Sequence, residues 1–166
     1  MVSKKGVLVT VTILAGITGA SFLLWLIPQD YEATFVVSDY KGYLDGVQNI
    51  HEVLEESMNI EYQNLRTGKI TPQKYIAITE TTSSQVTAQI SEFVTSKPPE
   101  DWQTSYINYM DAMKKFNSYI LETKVLANLI ENGNTEDEMN ETLEKIESLK
   151  MESKEFVKIS HQSRPD

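Results

Sequence analysis

One histidine and two methionines are the residues of this sequence best placed to bind a metal or a small ligand. His51 lies on the apolar face of a predicted helix, and Met110 and Met113 lie on a later predicted helix. If the two helices pack side by side, these three side chains come to about the same level. Imidazole and thioether groups form a soft ligand set that suits Cu(I). The alternative, which we favour, is a buried histidine that hydrogen-bonds to a glutamine or a serine, with methionines filling gaps in the core.

Other kinds of reactive site do not fit the sequence. A carboxylate-bridged di-iron site requires Glu-x-x-His on two helices, but Gln48 and Lys158 stand three residues before the two histidines. The lack of cysteine removes disulfides, thiolate metal sites, covalently attached haem and cysteine nucleophiles. There is also no G-x-S-x-G motif and no glycine-rich phosphate loop. We therefore predict that the protein is not an enzyme and has no cofactor.

Four long helical patterns position these residues. Apolar side chains recur at alternating steps of three and four residues, and the predicted helices span about residues 39–67, 72–97, 99–132 and 136–161. The connections at Gly68, Pro98-Pro99 and Gly133 are short, so consecutive helices must run antiparallel. We predict an all-α fold, with an up-down-up-down antiparallel four-helix bundle over residues 39–166. A dimeric coiled-coil rod is the alternative, but three short turns in one chain favour packing within the chain.

The predicted helices also differ in how regularly apolar residues recur along one face, which we call the apolar seam. The third has the most regular seam, which we expect to be buried: Trp102, Tyr106, Tyr109, Met113, Phe116, Ile120, Thr123, Ala127 and Ile130. The seam of the first helix has a gap at Glu61. In the antiparallel arrangement we expect His161 to lie opposite about residue 40, roughly 15 Å along the bundle from His51. On that register the two histidines do not share a ligand.

An uncharged apolar stretch over residues 6–27 determines where the bundle is located. Its 22 residues are long enough as a helix to cross a hydrocarbon core of about 30 Å. Lys4 and Lys5 precede it, and the first charged residues after it are acidic. This bias predicts a cytoplasmic N-terminus over residues 1–5, a single transmembrane helix, a tether over residues 28–38 and an extracytoplasmic bundle in the cell membrane. A cleaved signal peptide is the alternative, but Trp25 and Pro28 stand where small residues would be expected.

Small residues on the predicted membrane helix indicate a contact with another helix. Ala15 and Gly19 form one small-xxx-small pair, and Gly16 and Ala20 form a second. Such pairs allow two helix backbones to approach closely in lipid. The expected partners are therefore the lipid bilayer and another membrane protein or a second copy of the chain. The alternative is that glycine and alanine are simply common in membrane helices.

The charge of the outer region limits the functions that it can have. Beyond residue 27 the sequence carries all 24 acidic residues and 13 of the 15 basic ones, a net charge of −11. Such a surface repels nucleic acid and anionic headgroups. Asn140 begins an N-glycosylation sequon, which is weak support for modification by itself. We predict a membrane-anchored extracytoplasmic bundle that serves as a protein-interaction module or an accessory subunit of a membrane complex. A bundle that binds a ligand or a metal such as copper is the alternative.

Overall fold

The computed structural model of the chain describes residues 37–133 and 135–165, which belong to one compact unit. They form four α-helices: α1 at Tyr40–Arg66, α2 at Pro72–Thr95, α3 at Glu100–Asn132 and α4 at Glu136–Gln162. The all-α prediction is confirmed, and each helix begins and ends within two residues of its predicted bounds. Within the described ranges no residue is in a strand.

The predicted membrane helix over residues 6–27 lies outside the described residues, as does the tether up to residue 36. Ala15, Gly16, Gly19 and Ala20 belong to that part of the chain. Both assignments therefore remain predictions. Among the four helices that are described, none combines the length and the apolar character that crossing a bilayer demands.

Local signals set the helix ends. The Thr71 hydroxyl accepts a hydrogen bond from the backbone of Lys74, and Pro72 occupies the first helical position. Thr135 and Glu138 form the predicted capping box at the start of α4. Gly133 ends α3 in the left-handed conformation, with φ of 67°. A side chain at this φ would be strained, so glycine is the natural residue for the turn into α4.

The third helix is the central element of the bundle. The backbone of α3 runs close to α4 and α2, and it approaches α1 over a shorter length. Small buried residues permit the tight packing of α3 on α4. The Ser105 hydroxyl donates to the Ser160 carbonyl at 2.9 Å, and the Ser153 hydroxyl donates to the Ala112 carbonyl at 2.9 Å. As the contacts advance along α3 they move back along α4, so the two helices are antiparallel.

By contrast, no Cα atom of α1 lies within 8 Å of a Cα atom of α4. Polar side chains bridge the two helices instead, in the pairs Asp45–Arg164, Gln48–His161, Glu55–Lys154 and Asn59–Lys150. Steps of three, seven and four residues along α1 are matched by equal steps back from Arg164, two residues beyond the end of α4, to Lys150 within it. These pairs therefore fix an antiparallel register between the first helix and the last.

This register corrects the predicted level of the second histidine. His161 lies opposite Gln48, with 2.7 Å between the two side-chain nitrogens, and not opposite residue 40. Gln48 precedes His51 by one helical turn, so the two histidines differ by about 5 Å along the bundle and not by about 15 Å. The prediction was wrong because periodicity within each helix does not determine the offset between helices. That offset depends on the side chains that meet across α1 and α4.

The core forms two apolar clusters along the bundle. One includes Met58, Tyr62, Tyr75 and Phe116, and the other includes Leu44, Phe93, Tyr109 and Met113. The seam expected on α3 is mostly buried. Its last member, Ile130, was wrongly assigned to the core because it lies near the end of α3 and is 39% exposed. On α1 the apolar seam passes Glu61 by using Tyr62, which is buried.

Candidate functional site

His51 lies in the middle of α1, at the junction of the two core clusters. Its side chain is only 4% exposed. The ring packs against Phe116 of one cluster, with 4.7 Å between ring centroids. Its Nδ1 atom lies 2.9 Å from the hydroxyl of Tyr109, which belongs to the other cluster. The structure therefore confirms a buried histidine with a hydrogen-bond partner, but that partner is a tyrosine on α3 and not the expected glutamine or serine.

The other ring nitrogen of His51, Nε2, is buried and has no hydrogen-bond partner within the part of the chain that the structure describes. Burial lowers the pKa of His51 to about 4, because the charged imidazolium would lose its hydration. The ring is therefore neutral at pH 7. Burial, with a smaller contribution from the Glu52 carboxylate, raises the pKa of the Tyr109 phenol, which remains protonated.

Two tautomers of neutral His51 are compatible with this geometry. In one, the Tyr109 hydroxyl donates to Nδ1, and Nε2 carries a proton that is buried without an acceptor. In the other, Nδ1 donates to the Tyr109 oxygen, and Nε2 presents an unused lone pair. Only the second tautomer can bind a metal through Nε2. The Tyr109 contact thus decides whether His51 is a structural residue or a potential ligand.

The two candidate methionines lie in different surroundings. Met113 is completely buried in the same apolar cluster as Tyr109. Met110 is half-buried and lines a surface groove between α2 and α3, together with Val94 and Ile107. His51 is hydrogen-bonded to Tyr109, and Met113 belongs to the same apolar cluster as that tyrosine. Met110 instead lines a groove whose lining does not include His51. In residues 37–133 and 135–165, no group of three histidine or acidic side chains could hold a metal ion.

A second polar cluster, which the sequence did not predict, joins the end of α4 to α1. Gln48 is buried, and its carbonyl oxygen accepts a hydrogen bond from Arg164 at 2.5 Å. The same Arg164 pairs with Asp45 at 2.6 Å. Because the arginine requires the amide oxygen, the amide nitrogen of Gln48 must face Nε2 of His161. That nitrogen of His161 must therefore accept the bond, whereas the buried Nε atom of Arg164 has no hydrogen-bond partner among the described residues.

A third feature lies on the surface of α1. Ile50, Val53 and Ile60 are 52%, 65% and 54% exposed, and they share one face of the helix. They recur at steps of three and seven residues, and Ile50 and Val53 each stand one residue before a member of the core seam, so a second seam was already visible in the sequence. We did not predict it, because a period of three and four was assigned to the core alone. Large apolar side chains that align on one helix face can mark an interaction surface.

Comparison of the chain with models of protein families, with curated proteins and with solved structures finds no match.

Proposed function

We propose that this protein is a membrane-tethered, extracytoplasmic helical bundle that binds another protein, as an accessory subunit or scaffold of a membrane complex. The observation that carries this proposal is the aligned exposure of Ile50, Val53 and Ile60 on one face of a helix whose neighbouring face packs in the core. Single exposed apolar residues are ordinary, but aligned ones keep an apolar surface in water unless a partner covers it.

The interior of the bundle supports a function at its surface. Large side chains fill the core, among them the completely or nearly completely buried Tyr75, Tyr109 and Met58. Several buried polar groups bond to one another. For example, the Tyr75 hydroxyl donates to Thr123 at 2.8 Å. These bonds help to specify how the helices pack.

The proposed membrane tether is supported by the sequence. Residues 6–27 are uncharged and long enough to span a bilayer, and Lys4 and Lys5 favour a cytoplasmic N-terminus. The pairs formed by Ala15 with Gly19 and Gly16 with Ala20 offer a second contact inside the membrane. A partner that spans the membrane can therefore meet both the predicted anchor and the bundle.

Co-purification tests the proposal. The full chain is isolated from membranes solubilised in a mild detergent, and its mass and composition are measured. We expect a membrane protein to accompany it in a fixed ratio. A monomer that carries a stoichiometric metal or small molecule and no protein would contradict the proposal.

Metal binding at His51 is the second candidate function, and it is favoured by the unpartnered Nε2 atom of a neutral imidazole. Together with the Met113 thioether, this atom provides a soft pair that suits Cu(I). The test is titration of the full chain with Cu(I) against a competing chelator. His51→Gln and Met113→Leu should each abolish binding, although Met→Leu preserves side-chain volume. Affinity no higher than that of the double variant would exclude the site.

A further inference from the structure

We propose that the outer face of α1 docks an amphipathic helix whose apolar residues recur at steps of three and four and whose margins carry lysine or arginine. This inference rests on the proposed function, because it names the surface and the class of partner. The docking face, called here the outer stripe, consists of the following residues: Gly46, Ile50, Val53, Ser57, Ile60 and Asn64.

The spacing of the outer stripe matches the pattern of a helix that pairs with another helix. Its steps are four, three, four, three and four residues, and it extends about 27 Å along α1. Five of its six positions immediately precede a member of the core seam, the exception being Ile60 before Glu61, so the stripe is rotated about 100° from the core. Packing within the bundle therefore does not explain it. The period instead fits a helix that would lie along α1 from outside.

The stripe also offers the small residues that close helix packing requires. A side chain built at Gly46 would meet no heavy atom within 4 Å, so the backbone at this position is open to approach. Ser57 lies between Val53 and Ile60 and is exposed. Small residues between larger ones form the holes into which the side chains of a facing helix insert. Gly46 and Ser57 thus stand on either side of Ile50 and Val53, the apolar side chains that a partner would bury.

Both margins of the outer stripe are acidic. Glu52 and Glu56 are exposed on the side towards α4, and among residues 37–133 and 135–165 no ion pair involves either of them. On the side towards α2, Glu92 shares a groove with Gly46 and Ile50. Burial is the main cause of the raised pKa of the Tyr43 phenol, and the Glu92 carboxylate across the groove raises that pKa further. A helix seated on the stripe would therefore have carboxylates along both of its sides.

The groove between α1 and α2 adds an unused hydrogen-bond acceptor. The side-chain oxygen of Gln89 is buried there and has no hydrogen-bond partner within the described residues. A lysine or arginine in the margin of the partner would pair with Glu92, and it would reach this oxygen only after the Gln89 side chain turned towards the groove. The Glu92 carboxylate of the groove thus favours a basic residue in the partner.

These charges favour a basic partner over a second copy of the chain. Two copies joined through the outer stripe would bring Glu52, Glu56 and Glu92 of each against acidic margins of the other. The region beyond residue 27 has a net charge of −11, which adds repulsion at longer range. Like charges in contact across an interface disfavour association, whereas complementary charges steer it. Anionic lipid headgroups are disfavoured for the same reason.

Cross-linking from the outer stripe tests the proposal in native membranes. The chain has no cysteine, so Val53→Cys or Ile60→Cys gives a single site for a thiol-directed benzophenone in the full chain. Met151→Cys on α4 is the matched control, because Met151 and Val53 are both 65% exposed apolar residues. We expect cross-links from positions 53 and 60 to map to one amphipathic segment with basic residues beside its apolar seam. Position 151 should not label that segment.

Charge reversal provides the second arm of the experiment. Glu52→Lys with Glu56→Lys should lower the yield of the cross-link from position 60 by about tenfold, because it removes one acidic margin. Glu141→Lys with Glu144→Lys makes the same change of charge on exposed positions of α4 and should leave the yield unchanged. Circular dichroism of both double variants verifies that the helices are retained.

The outcomes separate this inference from the proposed function. Cross-links to a second copy of the chain, to lipid or to an acidic segment would overturn the docking proposal. A partner that co-purifies with the chain but is labelled only from position 151 would overturn the docking proposal and leave the proposed function intact. No partner in co-purification and no cross-link from position 53 or 60 would overturn both.

Discussion

Burial of His51 couples its protonation to folding. The pKa of its imidazole falls from an ordinary value of 6.5 to about 4 in the folded protein. Between these two values the unfolded chain binds more protons at this position than the folded chain does. The free energy of unfolding therefore rises with pH across this window. Stability contributed in this way is complete above about pH 6.5 and is lost as the pH falls towards 4.

The first prediction measures this contribution. Because the buried ring stays neutral while His51 of the unfolded chain takes up a proton, the lowered pKa accounts for up to about 3 kcal/mol of the stability lost between pH 6.5 and 4. His51→Gln should show a shallower fall over the same range, because glutamine does not titrate. The measurement is urea denaturation of both proteins at several pH values. The carboxylates are common to both proteins, so the difference between the two curves isolates His51. Parallel curves would contradict the prediction.

The hydrogen bond between His51 and Tyr109 gives the second prediction. His51→Leu should cost about 1–3 kcal/mol of stability, because it leaves the buried Tyr109 hydroxyl without its partner. Adding Tyr109→Phe removes that hydroxyl and should recover most of the loss. The four proteins of this double-mutant cycle are compared by chemical denaturation. Strictly additive costs would show that the two side chains do not interact.

At the scale of the helices, the spacing between α3 and α4 depends on small residues. Ala112 is completely buried on α3, and its carbonyl oxygen accepts a hydrogen bond from Ser153 of α4. Buried Ser105 and Ser160 make the equivalent contact two turns away. Larger side chains at these positions would have to separate the backbones or adopt poor rotamers. The packing of these two helices is therefore specified by small alanine and serine side chains, which a search for large apolar residues does not identify.

The third prediction follows from this packing. Ala112→Leu should lower the free energy of unfolding by about 1–3 kcal/mol, because the additional carbons have no space between α3 and α4. The control is Ala88→Leu, which makes the same substitution at an exposed position of α2 and should change stability by less than about 0.5 kcal/mol. Thermal denaturation followed by circular dichroism measures both. Equal tolerance of the two changes would mean that α3 and α4 are further apart.

At the scale of the whole molecule, the predicted anchor determines on which side of the membrane the bundle lies. Residues 6–27 carry no charge, and the basic residues beside them lie only on the N-terminal side. This asymmetry favours retention of Lys4 and Lys5 in the cytoplasm and export of the bundle. The fourth prediction is that protease added to intact cells or spheroplasts degrades residues after 27 and leaves an N-terminal tag protected. A protected C-terminus would require the opposite orientation.

The fifth prediction concerns association within the membrane. Gly16→Leu with Gly19→Leu should weaken binding of the partner or self-association, because leucine would block the close approach of two backbones. Ile17→Leu with Ser21→Leu alters the opposite face of the same predicted helix and should have little effect. Recovery of the complex from mild detergent measures both, with membrane insertion checked by fractionation. Equal recovery of the two double variants would leave residues 6–27 as an anchor alone.

The sequence by itself determined the helices and where they end. Pro72, the capping box at Thr135 and the glycine at position 133 act on backbone groups a few residues away, so their effect can be read without knowledge of the fold. Steps of three and four place apolar residues on one face of each helix, and this predicted most of the core. The short turns then allowed only antiparallel neighbours.

The tertiary structure decided what those helices present to one another. The offset of α4 against α1 depends on pairs such as Gln48–His161, whose members are far apart in sequence, and the predicted register was therefore wrong. The partner of His51 is Tyr109 because the two helices bring those side chains to one level at a particular rotation. Rotation also separates the outer stripe from the core seam, although both have the same period. A periodic pattern in the sequence predicts that one face of a helix is apolar. Only the packing of the helices determines whether that face is buried inside the bundle or remains open to a partner.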